Sequence, residues 1–179
     1  MLKNIHFAIK LLIMKKSALL LFAILLMAYS QASAQKILMK IGTVTAAGGE
    51  DVRALEFQIN ASSNYLQGAG ASVGKPVPSS LSVKRTHNVA TNSLFNNIVK
   101  GTSIPEVKFE YYDAANVLYY TITLTNVFLT QLYWLSPECP TCLKLEQQLG
   151  FVFKTIKMAD AVTGASTTWD IGSGSVTTP

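Results

Sequence analysis

The chain of 179 residues is poor in cysteine (two), histidine (two) and charge (14% of residues). Each shortage excludes something. Two cysteines, Cys139 and Cys142, cannot build the multi-bridge framework of a small secreted domain. A single histidine beyond residue 34, His87, gives no basis for a Ser-His-Asp arrangement or for a zinc set of His and Cys ligands. The first 34 residues contain no acidic side chain at all, yet hold Lys3, Lys10, Lys15 and Lys16. That asymmetry accounts for the overall net charge of +5. Past residue 34, eleven basic side chains face ten acidic ones, so the remainder is close to neutral. A nucleic-acid partner, which the whole-chain charge invites, loses its electrostatic basis.

What is present at the start has the parts of a secretory signal peptide. Lys15-Lys16 is followed by an uncharged apolar run from Ala18 to Tyr29 and then by Ser30-Gln31-Ala32-Ser33-Ala34. A basic segment, an apolar stretch and small residues at A-x-A spacing predict cleavage between Ala34 and Gln35. Residues 1–13 then read as an upstream extension, with Met14 as the working start. The run is shorter than the roughly 20 apolar residues that span a bilayer. An uncleaved anchor drawing also on Leu11 to Ile13 would be interrupted by Lys15 and Lys16. No cysteine follows the run, which argues against lipid modification. The expected mature chain begins at Gln35, keeps no membrane anchor and is periplasmic or extracellular.

At 145 residues, such a chain buries about two-thirds of its unfolded surface as one domain. Cys139 and Cys142 sit in Ser136-Pro137-Glu138-Cys139-Pro140-Thr141-Cys142. In an oxidising compartment they read as a local bridge that pins a turn and adds little stability, because the closed loop is short. The alternative is a thioredoxin-like redox centre, which requires a helix starting at the motif. The sequence downstream alternates like a strand instead.

Alternation of apolar and polar residues dominates the chain. Ile37, Met39 and Ile41 share a face, as do Leu55, Phe57 and Ile59. Residues Ala61 to Ser80 are rich in Gly, Ser, Asn and Pro and read as a long loop. Leu81, Val83 and Arg85 set a third strand. The period then changes: Leu94, Phe95, Ile98 and Val99 form one stripe of a short helix, with Thr91 or Asn92 to cap its start and Gly101 to end it. Val107, Phe109 and Tyr111 alternate again up to a turn at Asp113-Ala114-Ala115-Asn116. Val117 to Trp134 is too long for one ordinary strand, so Asn126 is expected to mark a bulge or bend. Leu145, Leu149, Phe151 and Phe153 follow, with Gly150 as a bulge. A last strand takes Ser166 to Ile171 after a turn at Gly164, leaving Gly172 to Pro179 as a disordered tail. Seven or eight strands with one flanking helix predict a mainly β domain over residues 35–171, a compact barrel or two-sheet sandwich.

Reaction chemistry is not in evidence. Gly68 to Pro76 superficially looks like a phosphate-binding P-loop, but Ala69 breaks the spacing and Pro76 stands where a Ser or Thr belongs. His87, beside Asn88, reads as a polar residue at a strand end. Glu50, Asp51, Glu106, Glu110 and Asp113 are scattered near strand ends and read as solvated charge. No catalytic, metal or cofactor residue is assigned.

The order of several local phrases resembles the haemolysin co-regulated protein (Hcp) family, whose members form the tube of bacterial type VI secretion systems. The phrases are Ile37-Leu38-Met39-Lys40-Ile41, Leu81 to Arg85, the capped helix Asn92 to Gly101, Ile104-Pro105-Glu106-Val107, Asn126-Val127, Leu149-Gly150-Phe151, and Gly164 followed by Trp169-Asp170. Asn88 stands in place of an Asp usual in the family. The resemblance implies a compact barrel of two sheets with one helix, and a non-enzymatic subunit that assembles into six-membered, stackable rings and meets other secretion components or effectors. It also implies that the loop Ala61 to Ser80 is an extended contact element. No toxin domain is expected after the last strand. The alternative is an exported binding or adhesion module that keeps the fold without the tube role; a thiol-disulfide enzyme on Cys139 and Cys142 is a distant third.

Overall fold

The structure is a computed structural model that describes residues 35–66, 70–135 and 145–178. Its strands are β1 Lys36–Lys40, β2 Glu50–Glu56, β3 Ile59–Asn60, β4 Ser63–Leu66, β5 Gly70–Val73, β6 Val77–Pro78, β7 Leu81–Thr86, β8 Ile104–Tyr112, β9 Leu118–Leu135, β10 Glu146–Asp160, β11 Ser166–Asp170 and β12 Val176–Thr177. Among the described residues one helix, α1 Ala90–Lys100, lies between β7 and β8.

Six strands close a barrel in the order β10-β7-β2-β1-β8-β9, with β9 returning to pair with β10. β10 makes the closure possible. It pairs with β9 along nearly its whole length, with β7 over Glu146 to Phe151 and with β11 over Thr155 to Ala159. The outer strands β11 and β12 therefore hang on the barrel as a flank. The expected mainly β barrel with one helix is what the chain forms.

The barrel interior follows from the alternation. Met39, Val83, Val107, Phe109, Leu124, Leu149 and Phe151 are all sealed from solvent. Burying a side chain of this size stabilises by about 1.5–3 kcal/mol. Phe109 and Phe151 meet edge-on with ring centroids 6.5 Å apart, joining β8 and β10 through the core. Gly150 marks a register shift in β10, as its isolated position in an apolar run suggests. β9 runs 18 residues as one strand, with its backbone irregularity at Asn126, where a bulge or bend is expected. Asn126 takes a left-handed conformation within it, φ 50°. Asparagine tolerates that region at small cost, and β9 keeps β8 and β10 as partners on both sides of it.

Three expectations change. The stretch Ala61 to Ser80 is not a loop but an arm, in which β3 pairs with β6 and β4 with β5, separately from the main sheet. The tail is not disordered: Val176–Thr177 add β12 to β11. Its turn repeats the one before it. Asp160 accepts the Val162 and Thr163 N–H groups and Asp170 accepts that of Ser173, and left-handed Gly164 and Gly174 sit four residues after each Asp. The helix starts one residue earlier than its expected cap. Asn88 Oδ1 accepts the Ala90 N–H at 3.0 Å, while the Thr91 hydroxyl is used elsewhere. Left-handed Gly101 ends α1 as expected.

Candidate functional site

Polar side chains gather in two places, each held together by its own ion pairs and hydrogen bonds. The first lies inside. Arg85 continues the Leu81-Val83 alternation, so β7 drives a guanidinium into the core, where it is 1% exposed. A buried cation needs partners. Glu50, at the start of β2, forms the ion pair. Arg85 also donates to Asn88 Oδ1 at 3.0 Å, Thr91 Oγ1 at 2.8 Å and Gln147 Oε1 at 3.1 Å. The Thr91 hydroxyl donates to Gln147 Oε1 at 2.9 Å, and Gln147 Nε2 lies 3.3 Å from His87 Nδ1. Arg85 Nε is left without a partner. The network ties β2, β7, β10 and the start of α1 together. It presents no free nucleophile, and its chemistry is that of a clamp.

The second cluster lies on the outer face. On β8, Lys108, Glu110 and Tyr112 alternate with core-facing Val107, Phe109 and Tyr111. Glu110 receives Lys40 Nζ at 2.7 Å, Lys108 Nζ at 3.2 Å and the Tyr112 hydroxyl at 2.7 Å. Burial opposes ionisation of Glu110, but the hydrogen bonds from Lys40, Tyr112 and Lys108 outweigh it and hold the carboxyl at about 2. The same contact raises Lys40 and Tyr112 above their ordinary values. Tyr111, packed against Tyr119 and Tyr120, is pushed up to about 12, chiefly by burial. The reading of Glu50 and Glu110 as solvated charge is thus wrong: both are buried and paired, because each is positioned by a strand opposite a cation that the linear sequence does not reveal.

The remaining assignments fall as follows. Cys139, Cys142 and Ala34 lie outside the described residues; Gln35 is exposed just before β1. Gly70–Val73, within the stretch that looks like a P-loop, is a strand. Asp51 and Glu106 are exposed, and Asp113 accepts the Val117 N–H in its turn. Among the described residues no group of three His, Cys, Asp or Glu side chains could hold a metal, and no helix is long and apolar enough to cross a membrane.

Surface apolar residues are the other candidates. Only half of the expected helical stripe docks: Leu94 and Ile98 pack on the core, while Phe95 and Val99 face solvent at 47% and 68% exposure. A helix laid against a barrel end buries a narrow strip. A second exposed set surrounds the outer flank. There, a cavity of about 290 Å³ opens between the arm base (Ile59, Pro76) and Met158, Trp169 and Val176. Nothing in the sequence pattern marks it, because the short, Gly- and Ser-rich segments of the arm and the tail carry no periodic signal.

The described residues form a closed barrel with two clamped polar clusters and an apolar flank. Residues 39–159 match the family described as type VI secretion system effector, Hcp, and the chain belongs to that family. It is an Hcp-like structural protein of the type VI secretion system. Among curated proteins, nothing matches the sequence. The fold is similar to Hcp1 from Salmonella typhimurium, with a TM-score of 0.67 and 18% identity over 80% of this chain and 99% of that one. It is also similar to the secreted protein Hcp3 from Pseudomonas aeruginosa, with a TM-score of 0.56 and 16% identity over 76% and 98% of the two chains. A type VI secretion system effector from Yersinia pestis gives a TM-score of 0.55 and 19% identity over 75% and 98%.

Proposed function

We propose that this protein is a tube-type subunit that closes into rings of six like copies, which stack and meet other components or effectors of the secretion machine. One observation supports this reading above the rest. The barrel fills its own core and pairs its buried carboxylates Glu50 and Glu110, yet leaves an apolar flank and an arm that pairs with nothing but itself. Such surfaces suit assembly rather than chemistry. Native mass spectrometry of the chain from Gln35 tests it: a species at six times the monomer mass is expected. A strict monomer at high concentration would sink the ring.

The pattern of residues 14–34 favours a second reading, in which the chain is exported as a stand-alone binding or adhesion module on the same barrel. N-terminal sequencing of protein recovered outside the cytoplasm separates the parts of this claim. Gln35 as first residue supports cleavage after Ala34, and a secreted monomer supports the module. Cys139 and Cys142 then form a local disulfide, seen as the absence of free thiols in the purified protein. Disulfide reductase activity lost on Cys142→Ser would instead favour the redox reading.

A further inference from the structure

Past Phe151, where β7 leaves β10, one face of the sheet loses its opposite wall. Ile156 and Met158 on β10 stand beside their register partners Trp169 and Thr167 on β11, and Trp169 stands beside Val176 on β12. By alternation these side chains share one face. Ile156 and Trp169 belong to the buried core, so this face continues the barrel interior beyond its closure. The arm supplies a second wall through Ile59 and Pro76, but it does not fill the space: a cavity of about 290 Å³ remains between them. That is roughly ten times a water molecule's share of liquid volume, at the small end of ligand sites. Its floor is sheltered and its lips are open, with Trp169 at 9% exposure against 47% for Ile59 and 62% for Val176.

The lining itself, among the described residues, holds no charged side chain. One cation stands at its rim. Gly174 lines the cavity, and a methyl group placed on it would lie 3.7 Å from Lys75 Cε and 4.0 Å from Lys75 Nζ. Lys75 is the residue before Pro76 of the arm wall, and no ion pair among the described residues involves it. Asp170, the carboxylate nearest in sequence to that turn, pairs with Lys154 at 3.9 Å. A small apolar recess with a single ammonium at its edge is complementary to an apolar body that carries one negative charge.

We propose that this trough binds a small monocarboxylate with an apolar chain, the chain lying against Trp169 and Met158 and the carboxylate meeting Lys75. The site is complete within one chain, so it stands apart from the ring reading.

The experiment uses the full chain with Trp134→Phe, which leaves Trp169 as the sole tryptophan. The probe is decanoate, kept below the concentration at which it forms micelles. Saturable binding is expected, read as a shift of Trp169 emission to shorter wavelength and a fall in its quenching by acrylamide. Decanol carries the same chain without the charge. Lys75→Met should weaken decanoate by about fivefold and leave decanol unchanged. Ile59→Glu, which puts a like charge on the exposed arm wall, should abolish the decanoate response while far-UV circular dichroism stays that of the parent. Trp169 emission that does not respond to decanoate overturns the proposal, and so does a Lys75→Met chain that treats decanoate and decanol as its parent does. A trough already filled by a second copy gives the first of these results, with Trp169 shielded further as protein concentration rises.

Discussion

The barrel and its outer flank are built from the same alternating pattern but use it differently. In the barrel, each apolar face meets another across the closed interior, as Phe109 meets Phe151. On the flank, β11 and β12 extend past the point where β7 leaves β10, so there is no opposite wall and Val176 remains 62% exposed. Closure, rather than hydrophobicity, separates a core from an exposed apolar face. The arm teaches the same lesson, since its strands pair only with each other. Substitutions in the barrel should therefore change folding, and substitutions on the exposed flank should leave it nearly unchanged.

Arg85→Ala is the most damaging way to break the barrel side of this contrast. It strands Glu50 in the interior and should cost about 3–5 kcal/mol. Urea unfolding should show this, with partial recovery when Glu50→Gln is added; a loss no larger than that of a surface mutation would refute the clamp. Leu124→Ala, deep between β8 and β10, should cost about 2–5 kcal/mol through the cavity it leaves. Gly150→Ala should cost about 1–3 kcal/mol, because the new Cβ would lie 2.9 Å from Gln131 Cβ on the facing strand.

Glu110 sharpens the comparison through pH. Its folded carboxyl sits at about 2, below the ordinary 4.5. Its contribution is therefore present above the ordinary value and is lost as pH falls from there through about 2. Glu110→Gln should destabilise by an amount on the order of 1–3 kcal/mol at neutral pH. The gap to wild type should narrow in acid; a gap independent of pH from 6 to about 2 would contradict the clamp by Lys40 and Lys108. The smallest effect on folding belongs to the flank: Val176→Lys should change stability by less than about 0.5 kcal/mol, as thermal melts would show.

Much of the fold was legible because period-two alternation is local. Ile37-Met39-Ile41 and Tyr120-Ile122-Leu124 announce their inward faces without reference to any partner. Turn chemistry was equally local at Gly101 and at Asp113-Asn116. The failures share a cause. Arg85 sits in phase with Leu81 and Val83, which marks it as inward, but its partners Glu50 and Gln147 lie 35 and 62 residues away in sequence. The helical stripe of Leu94, Phe95, Ile98 and Val99 showed amphipathicity but not how wide a strip the barrel would cover. The arm hid because strands of two to four residues rich in Gly and Ser carry almost no periodic signal.

The sequence by itself determined that this is a mainly β chain with one short helix, placed its charge asymmetry in the first 34 residues, and carried enough ordered phrases to point to its family. The tertiary structure decided which carboxylates are buried, which half of the helix docks, that the tail forms a strand, and that an apolar trough opens between the arm base and the flank. The division has a physical reason: strand periodicity and turn propensity depend on neighbouring residues, whereas burial, ion pairing and an unfilled edge depend on what closure brings from elsewhere in the chain.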